Sequence, residues 1–521
     1  MDSRTKDLLF SADISRIGAE IKSNTGGVNV FASINLPDNE VTPLRPGAFV
    51  RLGMPDKSYE SVIVIPDSAL YEDSYIYLIR DGRLEKHMVK IHGYDKTNSH
   101  VTDSLEEDGI KVVFKDELDI IDADYDLIVY TPAIPNSNKL LNHFKSQEFE
   151  MMKRAEVLGL ISKDKYTIAI AGTHGKTSVS AQVAHLLKEE GYDCTGFVGG
   201  ICRNYDSNYI EGRKDVVVIE ADEFDRSFLH LSPDVLVITS LDPDHLDIYG
   251  DFEEMKKTFL KLISKVKPNG KVLLHDHVKA VLNQGAISRF KDLDIYTYAS
   301  ESSDYYAKDT RVVTDENGER KFEFDLILES EDMNTVQINI PGIHNVDNTV
   351  AAISVTQLIG LDLELVKKGV QSFEGIKRRF DYHVKMNQGK AIYIDDYAHH
   401  PNEINVTIDA VRRLYPNKKL TTIFQPHLFT RTKDFAEEFC LELSKVDQLV
   451  LLPIYPAREE AIIGVTSEML LENILLDDKR ILQKEEVMTW LANEEPELVL
   501  TIGAGDIDQL ITPIKNHLSY E

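Results

Sequence analysis

YTIAIAGTHGKTSVSAQVAHLLKEEG, residues Tyr166–Gly191, is the stretch that decides the fold of the chain. It contains an apolar strand, then a glycine loop, then an amphipathic helix, and this order predicts a loop that binds nucleotide phosphates. In such a loop, backbone N–H groups surround the phosphates, a lysine balances their charge and a hydroxyl ligates Mg²⁺. The usual spacing has a glycine where Ile170 stands, so the loop has the shorter form GTHGKT. The predicted phosphate-binding residues are Gly172, Thr173, His174, Gly175, Lys176 and Thr177.

Acidic side chains follow the next apolar strand, VVVIEADEFD, in which Glu220 precedes Asp222, Glu223 and Asp225. Like charges this close repel one another, so the segment is either a metal site or a fully solvated loop. His245 lies in DPDHLD, after the further strand DVLVITS. Adjacent parallel strands deliver their carboxyl ends to one crevice, and a phosphate loop in the same sheet therefore favours the metal site.

The chain divides into four segments by its pattern of strands and helices. Residues 1–90 are predicted to be β-rich, and from residue 91 strands and helices alternate as in a parallel sheet. We place three α/β domains at 91–162, 163–380 and 381–521, the first of them incomplete. Within the first, the run KSQEFEMMKRAEVLGLI (145–161) is predicted to be a helix.

Composition excludes several classes of protein. The 521 residues include 58 basic and 87 acidic side chains, a formal net charge of −29. A strong acidic excess argues against nucleic acid or an anionic membrane as the main partner. No apolar run approaches the roughly 18 residues that cross a bilayer, so we expect no membrane insertion. Cys194, Cys202 and Cys440 are sparse and lack zinc-ligand spacing, which indicates a protein of the reducing cytoplasm.

A series of motifs occurs in the order found in the Mur ligases, and the chain resembles that family from about Lys90 to its C-terminus. The motifs are GTHGKT, EADEFDRSF, DPDHLDIYGD, GIHNVDN, IKRRF, DDYAHHPNE, FQPHLFTRT and YPAREE. The resemblance implies a cytoplasmic, ATP- and Mg²⁺-dependent enzyme of peptidoglycan synthesis. Its three domains would bind a UDP-sugar, ATP and an amino acid in that order. The motifs are most similar to those of members that join L-alanine to UDP-N-acetylmuramate through an acyl phosphate. We expect a monomer or a weak homodimer.

The resemblance also implies roles for individual residues. Thr177, Glu220 and His245 resemble the family's Mg²⁺ ligands, and Lys176 its phosphate contact. Arg379 resembles a phosphate or ribose contact, and Leu428 stands where some relatives have an arginine, so a charge there is lost. The remaining matches are His344, Asn345 and Asn348 around ATP, Asp396, Tyr397 and His399 at the interface of amino acid and ATP, and His427 and Arg431 beside L-alanine.

The expected chemistry suits these residue types, although other interpretations stay open. The amine of alanine must lose a proton before it attacks, so His399 is a plausible base, and an arginine fork suits the alanine carboxylate. We accordingly predict Lys176, His399 and Arg379 as catalytic. Alternatively, His399 and His400 cap a loop, and Arg379 is an ordinary surface charge. A related ligase adds a murein tripeptide instead of alanine, and FQPHLFTRT with YPAREE favours the alanine type.

The N-terminal segment departs from the family. A glycine-rich loop of GIGGIGMS type should hold the UDP pyrophosphate, but residues 1–95 contain only Gly26-Gly27, with neither strand before nor helix after. Instead, LRPGAFVRL, VIVIPDSALYED and YIYLIRDGRLEKHMVKI resemble a periplasmic adaptor subunit of efflux pumps, and the Asp81-Gly82 pair predicts a hairpin. The chain is therefore interpreted as a chimera, with a divergent β-rich extension as the alternative. A non-catalytic or impaired ligase that still binds ATP–Mg²⁺ is the corresponding alternative function.

Overall fold

The computed structural model describes most of the chain from residue 91 and four strands before it. The described residues are 11–21, 28–35, 75–80, 83–88 and 91–520, apart from 97, 99, 108, 122–124, 133, 148, 244–245, 316–317, 329–330, 387 and 458. They form two compact units, which we describe separately. The first contains residues 1–126 and 134–150, and the second contains residues 127–133 and 151–521.

The N-terminal strands of the first unit form two antiparallel pairs. β1 (Ser11–Ile21) pairs with β2 (Val28–Asn35), and β3 (Tyr75–Arg80) pairs with β4 (Arg83–Met88). Arg80 is opposite Arg83, which confirms the predicted hairpin. The segments LRPGAFVRL and VIVIPDSALYED and the Gly26-Gly27 pair lie outside the described residues.

The remainder of the first unit contains a short parallel pair and two helices. The elements are β5 (His92–Tyr94), α1 (His100–Glu107), β6 (Lys111–Val113) and α2 (Lys139–Ser146). β5 and β6 run parallel. Asn138 caps α2, because its side chain accepts a hydrogen bond from the amide of Leu141 at 2.8 Å.

The second unit begins with another short parallel pair, β7 (Ile128–Tyr130) and β8 (Met151–Lys153), followed by α3 (Arg154–Lys163). The predicted helix over residues 145–161 is therefore wrong in its first half, where the end of α2 and the strand β8 lie. Glu156 explains the start of α3, since its carboxylate accepts a hydrogen bond from the backbone amide of Lys153 at 2.6 Å.

A ten-stranded sheet forms the centre of the second unit, in the order β11-β10-β12-β9-β13-β14-β15-β16-β17-β18. Its strands are β9 (Tyr166–Ala171), β10 (Thr195–Cys202), β11 (Ser207–Ile210), β12 (Val216–Glu220), β13 (Val235–Ile238), β14 (Lys271–His275), β15 (Asp294–Ala299), β16 (Tyr305–Thr314), β17 (Arg320–Leu328) and β18 (Glu331–Ile338). Neighbours from β10 to β16 pair in parallel, and β11, β17 and β18 are antiparallel to their neighbours.

Helices pack on both faces of this sheet. They are α4 (Lys176–Glu189), α5 (Leu246–Tyr249), α6 (Phe252–Ile263), α7 (Asp276–Leu282), α8 (Gln284–Ile287), α9 (Ile343–Leu358) and α10 (Leu363–Ser372). Alternate residues of β9 face opposite sides: Ile168 and Ile170 pack with the core under α4 and α9, and Ala169 and Ala171 with the core under α6. Burial on both faces explains why the central strands are continuous apolar runs.

The C-terminal sheet has six strands in the order β19-β20-β24-β21-β22-β23 and is parallel apart from β19. The strands are β19 (Asp381–Val384), β20 (Ile392–Asp396), β21 (Leu420–Phe424), β22 (Gln448–Leu451), β23 (Lys479–Ile481) and β24 (Leu498–Ile502). The helices are α11 (Pro401–Leu414), α12 (Phe429–Asp434), α13 (Ala436–Leu443), α14 (Ser467–Asn473), α15 (Lys484–Leu491) and α16 (Ile511–Leu518).

These two sheets confirm the predicted α/β class with parallel strands. One cluster of buried apolar side chains extends from the α4 and α9 side of the central sheet to the α11 and α13 side of the C-terminal sheet. No helix among the described residues is both long enough and apolar enough to cross a bilayer.

Candidate active site

The phosphate loop, residues 172–177, connects β9 to α4 in a conformation that requires glycine at two positions. Gly172 has φ 138° and Gly175 has φ 82°, a region that side chains rarely enter. A Cβ atom at Gly175 would lie 2.7 Å from Asn348 Oδ1, and one at Gly172 would collide with Thr239 Oγ1. The loop is thus enclosed by β13 on one side and α9 on the other.

Hydrogen bonds from the end of β13 fix the loop. Ser240 Oγ accepts a hydrogen bond from the amide of His174 at 2.6 Å and lies 2.8 Å from Thr173 Oγ1. The hydroxyl of Thr239 donates to the carbonyl oxygen of Ala171 at 3.1 Å. These bonds explain how a short, glycine-containing loop keeps one shape.

Lys176 forms a buried ion pair with Glu223. The lysine Nζ lies 3.0 Å from Glu223 Oε1 and 2.8 Å from Oε2, and it also donates to the carbonyl oxygen of Gly172 at 2.6 Å. Glu223 is 1% exposed, so the solvated-loop interpretation is wrong for this residue. Burial raises the pKa of Glu223, and the charge of Lys176 opposes that rise. Lys176 therefore has an internal counter-ion where the sequence predicts a phosphate.

The predicted metal ligands Thr177 and Glu220 are in contact. Thr177 Oγ1 donates to Glu220 Oε1 at 3.0 Å, and the amide of Gly199 donates to Glu220 Oε2 at 2.6 Å. His245 lies outside the described residues. Within the part of the chain that is described, no three histidine, cysteine, aspartate or glutamate side chains form a group that could hold a metal. The donor pair fits Mg²⁺, which prefers oxygen ligands and keeps several waters.

The first two turns of α9 carry three predicted nucleotide-binding residues, and Asn348 lies beside Gly175 of the phosphate loop. Asn345 donates to the carbonyl oxygen of Pro341 at 2.7 Å, and Asn348 donates to Asn345 Oδ1 at 3.3 Å. His344 is different, because its buried Nδ1 has no hydrogen-bond partner among the described residues. Burial lowers the pKa of His344 to about 4. An unpartnered, uncharged ring nitrogen here is suited to a polar ligand.

Arg378 and Arg379 both lie near the ring of Tyr397 but differ in their other contacts. The guanidinium groups are 5.2 and 5.3 Å from the centre of the tyrosine ring. Arg378 Nε lies 3.1 Å from Asp395 Oδ2, so it has an ionic partner inside the C-terminal sheet. Arg379 Nη1 lies 4.0 Å from Glu403 Oε1, and its side chain is 37% exposed. Arg379 is therefore the cation available to a ligand.

Asp396 braces the backbone around these arginines. Its carboxylate accepts hydrogen bonds from the amides of Phe380 and Ala398, both at 2.7 Å. Burial raises the pKa of Asp396 to about 6. In the structure, Asp396 therefore holds the backbone at Phe380 and at Ala398, the segments that carry Arg379 and His399.

The histidine cluster, which we define as Tyr397, His399, His427 and Arg431, lies at the carboxyl ends of β20 and β21. The rings of His399 and His427 are 6.0 Å apart, and His427 stacks on Tyr455 at 5.7 Å. Burial lowers the pKa of His399, and it lowers that of His427 to about 4, in each case helped by the charge of Arg431. Both rings are therefore held in the neutral form at neutral pH.

The hydrogen bonds of His399 define which nitrogen is free. Its Nδ1 lies 3.0 Å from the carbonyl oxygen of Tyr397, an acceptor, so Nδ1 carries the proton in the neutral ring. Nε2 is then the basic nitrogen. His427 Nδ1 is buried and has no hydrogen-bond partner among the described residues. Leu428 holds the start of α12 through its backbone, since its carbonyl oxygen accepts from Thr432 Oγ1 at 2.7 Å.

Glu403 was missed as a site residue, although it lies within the DDYAHHPNE motif. It is the third residue of α11 and accepts hydrogen bonds from the amides of His399 and His400 at 3.0 and 3.2 Å. His400 accepts from the amide of Asn402 at 3.3 Å, so the capping interpretation is right for His400. Proline followed two residues later by glutamate is a signal for such a cap.

The same glutamate also faces the phosphate loop. His174 Nδ1 lies 3.6 Å from Glu403 Oε1. Burial acts to raise the pKa of Glu403, but His174, His399 and Arg379 outweigh it and hold this pKa well below its ordinary value. Burial acts to lower the pKa of His174, but Glu403 and Asp242 raise it overall. The structure thus brings the phosphate loop and the histidine cluster to one junction.

Comparison with known proteins agrees with this arrangement. The sequence profile of the Mur ligase middle domain matches residues 170–356, that of the Mur ligase glutamate ligase domain matches 378–505, and that of the Mur ligase family catalytic domain matches 88–166. UDP-N-acetylmuramate–L-alanine ligase of Flavobacterium psychrophilum is 43% identical over 432 residues, which cover 82% of this chain and 92% of that protein. The chain belongs to the Mur ligase family. It is an ATP-dependent ligase of peptidoglycan synthesis.

Further relatives agree in extent and fold. The UDP-N-acetylmuramate–L-alanine ligase of Parabacteroides distasonis is 42% identical over 438 residues, covering 82% of this chain and 92% of that protein. The crystal structure of UDP-N-acetylmuramate–alanine ligase MurC from Thermotoga maritima has a TM-score of 0.69 at 24% identity and covers 82% of this chain and 92% of that one. A murein peptide ligase from Psychrobacter arcticus shares the fold, with a TM-score of 0.60 at 19% identity and coverage of 83% and 95%. None of these matches supports the adaptor-like interpretation of residues 1–90.

Proposed function

We propose that this Mur ligase joins L-alanine to UDP-N-acetylmuramate and converts one ATP to ADP and phosphate. One observation carries the proposal: a phosphate loop and a cluster of neutral histidines beside an arginine meet through Glu403, between the central sheet and the C-terminal sheet. Relatives at 42–43% identity that carry this activity in their names support the choice of substrates. The domain limits that we propose are 91–162, 163–380 and 381–521.

In the first half-reaction, the carboxylate of the muramic acid attacks the terminal phosphate of ATP. The backbone amides of residues 172–177 hold the phosphates, and Lys176 exchanges Glu223 for the transferring phosphate, where its charge stabilises the transition state. Thr177, Glu220 and His245 are the residues that would hold Mg²⁺, which would offset phosphate charge when bound. His344, Asn345, Asn348 and Arg379 enclose the nucleotide, and the unpartnered nitrogen of His344 gains a partner there.

In the second half-reaction, the amine of L-alanine attacks the acyl phosphate, an amide bond forms and phosphate leaves. His399 accepts the amine proton at Nε2, because burial keeps the ring neutral and Nδ1 donates to the carbonyl oxygen of Tyr397. Arg431 pairs with the alanine carboxylate, and His427 and Tyr397 line the same site. Burial keeps both histidines uncharged, and the charge of Arg431, which would pair with the substrate, adds to that effect.

The N-terminal segment sets a limit on the UDP-sugar site. We propose that nucleotide binding is intact and that the affinity for UDP-N-acetylmuramate is weakened, since residues 1–90 carry no recognisable pyrophosphate loop. Calorimetric titration of this substrate into the chain, and into a version with a GIGGIGMS-type loop restored, would measure the effect. Equal affinities would contradict it. ATP and a UDP-sugar are cytoplasmic metabolites, so we place the reaction in the cytoplasm, with the chain as a monomer or weak homodimer.

The substrate assignment is tested by single-turnover assays with UDP-N-acetylmuramate, ATP and one of two nucleophiles. L-alanine is expected to give a UDP-N-acetylmuramoyl-alanine product, and the murein tripeptide none. Product with the tripeptide alone would overturn the assignment in favour of a murein peptide ligase. ATP binding with neither product nor ADP release would instead indicate a chain that binds nucleotide but is impaired at the sugar site.

A further inference from the structure

Glu403 has a second set of contacts that helix capping does not require. A cap needs only one carboxylate oxygen, and Oε2 supplies it by accepting the amides of His399 and His400. Oε1 is directed elsewhere, to within 3.6 Å of His174 Nδ1 in the phosphate loop and 4.0 Å of Arg379 Nη1. The side chain is only 20% exposed, so its charge is poorly screened by water.

Glu403 contacts residues that belong to both proposed half-reactions. His174 belongs to the loop proposed to hold the ATP phosphates, whereas His399 Nδ1, 3.4 Å from Glu403 Oε2, belongs to the ring proposed to take the amine proton. The two histidines come from different sheets, and one carboxylate touches both. Removing its charge would leave His174 and Arg379 without their shared counter-ion, although Asp242 would still face His174 at 4.0 Å.

We propose that Glu403 is a positioning residue that holds the phosphate loop and His399 in a fixed mutual arrangement. The acyl phosphate that forms beside the loop is then presented to the amine beside His399 without a further movement of the domains. Fixed placement of two reacting groups is worth orders of magnitude in rate, so a small loss of alignment is measurable. This inference rests on the proposed function, because it assigns the two ends of the contact to the two half-reactions.

Glu403→Gln separates alignment from folding. Glutamine has the same size, and its amide oxygen still accepts the two backbone amides, so α11 keeps its cap. The charge that faces His174 and Arg379 is lost. We expect transfer to L-alanine to slow roughly tenfold, while acyl phosphate formation, measured as ADP released in one turnover without L-alanine, stays near the wild-type rate. A purely structural role would lower both rates and the melting temperature together.

Glu486→Gln is the matched control, because Glu486 occupies the same third position in α15 and accepts the amide of Gln483 at 2.7 Å. It is exposed and has no described contact with the phosphate loop, so both rates should stay unchanged. Glu403→Asp, which keeps the charge on a shorter side chain, should recover part of the transfer rate. If Glu403→Gln does not fold, His174→Gln removes the other end of the contact and is expected to slow transfer to L-alanine by a similar factor, in addition to any change in acyl phosphate formation.

A double-mutant cycle of Glu403→Gln with His174→Gln decides the question. The inference predicts that the double variant transfers to L-alanine about as fast as the slower single variant, since both substitutions break one contact. Effects that multiply as if independent would overturn it, as would an unchanged transfer rate in Glu403→Gln. Alanine product from the wild-type chain tests the proposed function separately, so failure of one is not mistaken for failure of the other.

Discussion

The phosphate loop and the histidine cluster differ in their electrostatics: Lys176 of the loop is charged and paired, whereas both histidines of the cluster are uncharged. In the loop, the side chains already have partners inside the protein: Lys176 is paired with Glu223, and the hydroxyl of Thr177 donates a hydrogen bond to Glu220. In the cluster, burial keeps His399 and His427 uncharged, and His427 Nδ1 has no described hydrogen-bond partner. The proposed phosphate site thus has a charge that is already paired, whereas the two histidines proposed to face the amine are buried and uncharged.

This contrast suits the two proposed steps, which differ in the charge that they need at the site. Phosphoryl transfer needs fixed positive charge, and an internal carboxylate keeps that charge stable until a phosphate replaces it. Proton abstraction from an amine needs a neutral base, and desolvation with a nearby arginine provides one. Glu403 touches both regions, which is why we assign it to their alignment.

Lys176→Met should have the largest effect, because it removes the ion pair with Glu223 in the phosphate loop. The fixed charge is lost and Glu223 remains buried without it, so we expect kcat to fall by roughly 10³-fold. ADP release in a single turnover is the measurement, with Lys188→Met, at the other end of α4, as a control that should keep its activity. Slower L-alanine transfer with normal ADP release would contradict this prediction, because the charge would then act on the second half-reaction and not on phosphoryl transfer.

His399→Gln should have the next largest effect, because it removes the uncharged histidine that is proposed as the base. Transfer to L-alanine is expected to fall roughly 10²-fold, because the amine loses its base, while acyl phosphate forms normally. His400→Gln serves as the control, since His400 acts through its cap on α11. An equal loss in both variants would place the effect in the helix terminus.

The pH dependence of the wild-type enzyme tests the same base. Burial lowers the pKa of His399 below the ordinary 6.5, so the neutral, reactive form persists to lower pH than for an exposed histidine. The acid limb of kcat/KM for L-alanine should therefore lie below pH 6.5 and should be missing in His399→Gln. A limb above that value would show that the base is charged and exposed.

Gly175→Ala tests how closely α9 encloses the phosphate loop, and its expected effect on stability is the smallest of these effects in free energy. The new Cβ would sit 2.7 Å from Asn348 Oδ1 at a residue with φ 82°, so we expect a loss of about 2 kcal/mol in the free energy of unfolding. Gly191→Ala is the matched control, with φ 75° and nothing within 4 Å, and should lose only about 1 kcal/mol. Equal losses would mean that the enclosure by α9 is unimportant.

The sequence predicts the parts of this site better than their pairing. Strand, glycine loop and helix identify residues 172–177, because the period of the apolar residues and the positive φ of glycine act locally. The partner of Lys176 could not be predicted, since Glu223 and Asp225 are equivalent in EADEFD until the turn after β12 buries one of them. Glu403 was missed because a cap signal explains it fully, and its contact with His174 depends on how two sheets pack.

The central claim is that the substrate carboxylate is activated as an acyl phosphate. With ¹⁸O in both carboxylate oxygens of UDP-N-acetylmuramate, the oxygen that attacks ATP must leave with the phosphate when the amine of L-alanine displaces it. Mass analysis after one turnover should find one ¹⁸O in inorganic phosphate, together with ADP. Label in AMP, or phosphate without label, would contradict the account.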